Sequence, residues 1–336
     1  MTVSVQSIMP TTRAKWLSVA RECGYATYFH TPYWYELIAP EQKHIVREVT
    51  FNDGVSAVIP TAKIKRACGF LTDIFSSPGG TYGGWLSASS LTPEHVKHLV
   101  GVLISENNLT FRLNPFDRSS RFVSGGVDSI DNTGGIKRKD DFTHVLDLTK
   151  GERAITLGLS KGHRSAIKSA ERAGVTVRAA EMQNEWDQYY ELYQSSLERW
   201  RAGGPAMSPR NVYPLSLFRR IREIRTGNET LWLAFKEGVP IAGALFFYWN
   251  GHAVSWHGAA SAKHFRFKPN NLLYWEIIKD AAGRGYEIFD FNPSGGYRGV
   301  ESFKDSFGAE RVPTPIITTR SPLRRMIARL RGMGKG

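Results

Sequence analysis

Cysteine is nearly missing from this chain: Cys23 and Cys68 are the two in 336 residues. That excludes a disulfide scaffold and leaves no cysteine cluster to hold zinc. Long apolar runs are missing too. Stretches such as Ile241–Trp249 fall well short of the ~20 residues that cross a bilayer. Residues 1–10 are polar and carry no apolar leader core, so a cytoplasmic protein without a signal peptide is expected. HExxH, GxSxG, Walker and GxGxxG signatures are absent, which removes the commonest metalloprotease, hydrolase and nucleotide-loop chemistries. His95 and His98 share a helical stretch, but no third ligand lies near them, so they read as two exposed histidines. Neither a metal nor an organic cofactor is expected. Acid is scarce: Asp+Glu number 31 against 44 Lys+Arg, a net charge of +13. Such an excess favours a polyanionic partner, whether nucleic acid, an anionic membrane or a phosphorylated substrate.

What is present is enough for a large core. Hydrophobic residues make up 41%, with 9 Trp, 13 Tyr and 18 Phe, so wholesale disorder is excluded. The length suits two domains. Much of the positive charge sits at the end, where Arg320, Arg324, Arg325, Arg329, Arg331 and Lys335 meet no acid. Ser321-Pro322 has the form of a helix start, and Leu323, Met326, Ile327 and Leu330 share one face. Residues 321–336 therefore read as a short basic amphipathic helix, able to lie on an anionic membrane or to dock on the body.

The rest divides into two similar halves. Residues 44–64 read as strand, turn and strand around Asn52-Asp53-Gly54, and residues 231–249 repeat this around Lys236-Glu237-Gly238. Asn250-Gly251 adds a further hairpin into His252–Ala260. In the first half a helix opens at Thr92-Pro93 with Val96, Leu99, Val100 and Leu103 on one face. A strand, Thr110–Leu113, then ends in Asn114-Pro115. In the second half a helix opens at Pro269 with Leu273, Ile277, Ile278 and Ala281 on one face, and the strand Tyr286–Phe291 ends in Asn292-Pro293. Four elements in the same order point to duplication of one α/β unit with mixed sheets. The expected domains are 1–148 and 149–320, with 321–336 as the tail. Residues 118–141, rich in Ser, Gly, Asp and Asn, read as a long loop, either a flap or a linker. Glu152–Arg172 reads as a basic helix carrying Arg153, Lys161, Arg164, Lys168 and Arg172, weakened near its middle by Gly158 and Gly162.

Several segments together resemble a known family. They are Tyr28-Phe29-His30-Thr31-Pro32-Tyr33-Trp34, Ser77-Pro78 with Tyr82-Gly83-Gly84, Leu159 to Val175, Pro240 to Ala244, Arg284-Gly285-Tyr286 with Phe289-Asp290-Phe291, and Phe303-Lys304 with Phe307-Gly308-Ala309. In this order, over residues 25–315, they resemble FemAB-type transferases and the acetyltransferase-like branch of the GNAT superfamily. The resemblance implies a tandem GNAT fold and acyl transfer to an amine. In FemAB enzymes the donor is an aminoacyl-tRNA and the acceptor a peptidoglycan precursor, often lipid-linked at the inner membrane face. Wider relatives are assigned acyl-CoA donors and sugar-amine or surface-polymer acceptors. A non-catalytic polyanion binder on the same fold is a further alternative.

Amine attack on an ester or thioester builds an oxyanion, and a donor aimed at it is usually the largest catalytic effect. The resemblance places Phe303 and Lys304 at the reacting ends of donor and acceptor. Lys304 would stabilise that charge or meet the donor's terminal phosphates; otherwise it is a surface lysine beside a core Phe303. Arg164 and Lys161 would bind phosphates of acceptor or tRNA, or line a solvated helix face. Arg199, before the Gly203-Gly204-Pro205 turn and next to Trp200, suits a ligand loop. Trp34 and Tyr82 are candidates for lining the acceptor groove, packing in the core being the alternative. Asp290, at a strand end, would orient the amine or accept its proton, or else bond the following loop. Finally, Lys263–Asn270 stands where acyl-CoA-binding GNAT enzymes have a glycine-rich pyrophosphate loop, and it holds no glycine. That disfavours ordinary CoA binding and favours an aminoacyl-tRNA donor, while its positive charge still suits a phosphate-bearing ligand.

Overall fold

The computed structural model describes residues 2–40, 43–66, 71–76, 78–106, 108–123, 136–202 and 212–321. It forms two compact units, Met1–Phe142 with Pro313–Gly336, and Thr143–Val312.

The first unit runs β1 (Val5–Pro10), α1 (Arg13–Glu22), α2 (Pro32–Ile38), β2 (Lys43–Phe51), β3 (Ser56–Arg66), β4 (Leu71–Phe75), α3 (Pro93–Ile104), β5 (Leu109–Arg112) and β6 (Ile136–Lys139). The second runs β7 (Phe142–Asp147), α4 (Gly151–Gly158), α5 (Lys161–Arg172), β8 (Val175–Ala179), α6 (Gln183–Ala202), α7 (Leu215–Ile224), β9 (Glu229–Lys236), β10 (Val239–Trp249), β11 (His252–Ala260), α8 (Pro269–Gly283), β12 (Ile288–Asp290), α9 (Arg298–Asp305) and β13 (Glu310–Pro313). A last strand, β14 (Ile316–Thr319), returns to the first unit.

The duplication is real in three dimensions. One sheet has the order β1-β2-β3-β4-β5-β14-β6 and the other β13-β7-β12-β11-β10-β9-β8. In each, three antiparallel strands lead through a helix to a strand parallel to the third: β4 beside β5 across α3, and β11 beside β12 across α8. The helices form for the reason their spacing suggests. Val96, Leu99, Val100 and Leu103 of α3 pack on Phe51, Ile59 and Phe111, whereas Leu273, Ile277, Ile278 and Ala281 of α8 pack on Ala244, Phe246 and Phe289. Pro93 and Pro269 stand in the first turn of α3 and α8, where no intrahelical donor is lost. Gly285, at φ +83°, ends α8 by taking the left-handed position that closes its last carbonyls.

Several expectations shift. The boundaries at 148 and 320 do not follow the sheets. β7, from the expected first domain, pairs with β12, and β14, from the expected second, sits between β5 and β6. Each parallel strand thus gains its outer neighbour from the other half of the chain. The single helix over 152–172 is two, because Ser160 caps α5 with its hydroxyl on the His163 N–H (3.1 Å) and so ends α4 before it. Within 118–141 a 3-10 turn covers Arg118–Phe122 and β6 begins at Ile136. His95 and His98 are not exposed. His95 is buried, with Nδ1 on the Thr92 hydroxyl and Nε2 3.0 Å from Asp53 Oδ2, and His98 Nε2 meets the Val3 carbonyl at 3.1 Å. No group of three metal-ligating side chains occurs among the described residues. The same residues hold no helix long and apolar enough to cross a membrane. The basic helix expected over 321–336 lies, after Ser321, outside the described residues.

Candidate active site

The site grows from the place where two parallel strands part. β11 and β12 pair only from His252↔Ile288 to Val254↔Asp290. Beyond that β11 continues to Ala260 on β10 alone, with a bulge at Trp256, where Leu245↔His257 gives way to Phe246↔Ser255. A bulge adds a residue and bends the strand, which helps it diverge from its neighbour. Tyr274 of α8 bridges the first gap. Its ring stacks on Phe291 (5.7 Å between centroids), and its hydroxyl lies 3.1 Å from Ser255 Oγ.

Asp290 closes β12. It is fully buried, and its Oδ1 accepts from the Thr143 hydroxyl (2.6 Å) and the Asn292 N–H (2.8 Å). Those bonds hold the turn in which Asn292 takes φ +60°. Asp290 is therefore a fixed anchor of the loop, and the same oxygen cannot also serve as a free base. Lys304 reaches back to this loop from α9. It is 6% exposed, and its ammonium donates to the Asn292 carbonyl. Asn292 Oδ1 and Ser294 Oγ are buried in the same loop and meet no hydrogen-bond partner among the described residues. One buried cation and two open oxygens on a short loop can hold an anionic oxygen and an incoming amine together.

The next residue on α9 faces the sheet instead. Asp305 Oδ1 lies 3.0 Å from His144 Nε2 of β7, and Arg311 grips the same carboxylate with contacts of 3.1 and 2.6 Å. The Arg311 fork holds the Asp305 carboxyl below its ordinary range, whereas burial and the Lys304 charge push His144 down. A second histidine, His163 of α5, is buried. Its Nδ1 lies 2.9 Å from Asn271 Nδ2 and 2.8 Å from Ser306 Oγ, tying α5 and α8 to the end of α9. Burial pushes it down to about 4, so its ring is neutral at pH 7. Its ring also rests on Phe307 (3.9 Å), within a wall that includes Phe303 and Tyr274.

Of the residues singled out in sequence, Phe303, Lys304 and Asp290 come together here. Arg164 does not present its charge to a ligand groove: its Nη1 donates to the carbonyls of Thr156, Leu157 and Leu159 and caps the end of α4. Lys161 is exposed on the first turn of α5. Arg199 donates to the Ala260 carbonyl (3.2 Å) and Ser196 Oγ (3.3 Å), and its guanidinium lies 5.0 Å over the Phe265 ring. Trp34 and Tyr82 belong to the first unit and are fully buried, so neither ring offers groove surface. Trp34 Nε1 bonds the Pro78 carbonyl (3.0 Å), and Tyr82 packs on Phe29 and Phe116.

Sequence reasoning missed His144, His163, Ser255, Tyr274, Ser294 and Ser306. Only His163 left a signal, since it falls on the apolar stripe of Leu159, Ile167 and Ala170. The segment before α8 holds another difference. Ala262–Phe267 is wound as a 3-10 helix, with His264 N–H on the Ser261 carbonyl (3.1 Å) and Lys268 N–H on that of Phe265 (3.0 Å). Lys268 stands at φ +54°, where glycine would be unstrained.

Residues 159–305 match the acetyltransferase (GNAT) domain family. No curated protein sequence matches the chain. Among solved structures, FemX is 14% identical, with 96% of this chain and 100% of FemX covered at a TM-score of 0.70. L-PGS from Bacillus licheniformis is 14% identical, with 95% and 96% covered at 0.57. A tandem GNAT protein from the clavulanic acid biosynthesis pathway is 11% identical, with 94% and 99% covered at 0.55. The chain thus shares the two-unit, mixed α/β fold of these tandem GNAT-like structures.

Proposed function

We propose that the protein transfers an aminoacyl group from aminoacyl-tRNA to an amine on a cell-envelope precursor of peptidoglycan type. The observation that carries the reading is Lys304, a buried ammonium fixed on the loop that leaves β12 where β11 and β12 part. The amine nitrogen attacks the ester carbonyl, and the carbonyl oxygen becomes an oxyanion beside the Lys304 charge. The bond to the ribose oxygen then breaks, the amide forms, and the amine's proton leaves with the ribose hydroxyl. Buried in low dielectric, one such charge is worth far more than in water.

The choice of donor rests on the segment before α8. A pyrophosphate of CoA needs free backbone N–H groups, and the 3-10 winding of Ala262–Phe267 uses N–H groups of this segment within itself. The FemAB resemblance supports the same donor. The basic tail from Arg320 would suit a lipid-linked acceptor by contact with anionic lipid.

The test supplies labelled aminoacyl-tRNA, acetyl-CoA and a longer acyl-CoA separately, each with an amine-bearing envelope precursor. Transfer from charged tRNA, inhibited by further charged tRNA and unaffected by CoA, is the expected result. Saturable transfer from acyl-CoA that ignores tRNA overturns the reading and makes the protein a CoA-dependent N-acyltransferase of surface polysaccharide. Salt-sensitive binding of polyanions with no transfer from any donor makes it a non-catalytic binder.

A further inference from the structure

Beside the opening left by the parting strands is a surface that the transfer chemistry does not use. The 3-10 segment Ala262–Phe267 places its two phenylalanines differently. Phe267 packs against the core of the second unit, with Arg266 4.7 Å over its ring and His264 stacked on it at 6.1 Å. Phe265 turns outward and is 41% exposed. One face of its ring is covered by the Arg199 guanidinium at 5.0 Å, which two hydrogen bonds to Ala260 and Ser196 hold still. Lys263, Arg266 and Lys268 are exposed on the same short segment, and no acid occurs between Ser261 and Trp275.

An exposed aromatic ring is normally a cost to a soluble surface, and three cations within six residues repel one another. Both features become favourable against a planar, apolar ligand joined to phosphates. An unpaired nucleobase stacks on a phenylalanine face, a guanidinium behind the ring adds cation–π attraction, and lysines track the backbone. A double helix would not expose the base face, so a single strand is required.

We propose that Phe265, backed by Arg199 and flanked by Lys263, Arg266 and Lys268, is a stacking platform for an unpaired base at the single-stranded end of an RNA. The proposal rests on the donor reading above and names where that donor is gripped. The same base chemistry occurs in CoA, so the test includes both.

The probe is a short single-stranded RNA with 2-aminopurine at its 3′ end, titrated into the full chain across a salt series, with CoA in parallel. Phe265→Ala weakens RNA binding by about 5- to 150-fold, the range of one base–aromatic stack, and abolishes the fluorescence quench. Phe265→Tyr retains both. Lys268→Ala keeps the quench but lowers the slope of log Kd against log salt by about 0.7. Because the Phe265 ring is exposed, Phe265→Ala melts within about 2 °C of the wild type, which separates lost stacking from lost fold. RNA binding by Phe265→Ala equal to wild type at every salt overturns the platform. So does a Phe265 dependence seen with CoA and not with RNA. Lys304-dependent transfer with an unchanged donor KM in Phe265→Ala overturns the platform but leaves the transferase standing. Phe265-dependent RNA binding by a protein that transfers nothing supports the platform and removes the transferase.

Discussion

Replacing Lys304 by methionine separates the two things this side chain does. Methionine keeps most of the buried stem and its packing. It removes the ammonium and its bond to the Asn292 carbonyl. A hydrogen bond from a charged group contributes about 1.5–3 kcal/mol, and the carbonyl is left unsatisfied. In a unit of this size 1 kcal/mol moves the melting temperature by about 2–4 °C, so a fall of about 3–12 °C is expected. The catalytic effect is separate and larger. Loss of one donor at a developing oxyanion costs about 100- to 1,000-fold in kcat. The assay is transfer of a labelled aminoacyl group at saturating donor and acceptor, run well below the melting transition, with KM for each substrate measured alongside. If Lys304 acts in the transition state, kcat falls and both KM values hold. If it merely shapes the loop around Asn292, KM rises and kcat holds. A Lys304→Met protein that turns over within about threefold of wild type, at any temperature where it is folded, refutes the assignment.

Two further outcomes follow from the same region. His163 is held down to about 4 by burial, against about 6.5 in an unfolded chain. Above pH 6.5 both states are neutral and the fold keeps its full stability; between pH 6.5 and 4 only the unfolded chain gains the proton. Stability is therefore lost as pH falls through that window, by about 2 kcal/mol at pH 5. Thermal melts at pH 7 and pH 5 should show this loss, and His163→Phe should flatten it; an identical pH slope in the variant contradicts the cause. Gly308 has φ +75°, and a Cβ there would lie 2.6 Å from the Gly158 carbonyl oxygen. Backbone cannot yield as a side chain can, so Gly308→Ala should cost more than about 2 kcal/mol in melting experiments. Gly158→Ala, whose Cβ would meet only the Phe307 oxygen at 4.0 Å, is the control and should melt near wild type.

Much of the candidate site was legible because its parts lie close together in sequence. Asp290, Asn292, Phe303 and Lys304 occupy one strand, turn and helix, and the closing motif drew attention to them. Arg164 stayed open for a local reason: a basic helix face looks alike whether its arginines meet a ligand or the carbonyls of the preceding helix. Trp34 and Tyr82 stayed open between groove and core because an aromatic residue in a Gly- and Pro-rich stretch is compatible with either, and only burial separates these. His144 left no mark at all. Its place in β7 is ordinary, and its role comes from Asp305, 161 residues away.

The sequence by itself determined the repeated strand-turn-strand, helix and strand plan, since hydrophobic period, turn glycines and helix-start prolines act over a few residues. It also determined that the surface would be cationic. Only the tertiary structure decided that β7 and β14 exchange places between the sheets, because pairing of strands four to six residues long depends on partners far along the chain and carries no local signal. Only the tertiary structure, too, buried Lys304 against the loop that leaves β12 and turned Phe265 outward over Arg199. Burial and facing are properties of what packs against a residue, and neighbouring letters do not contain them.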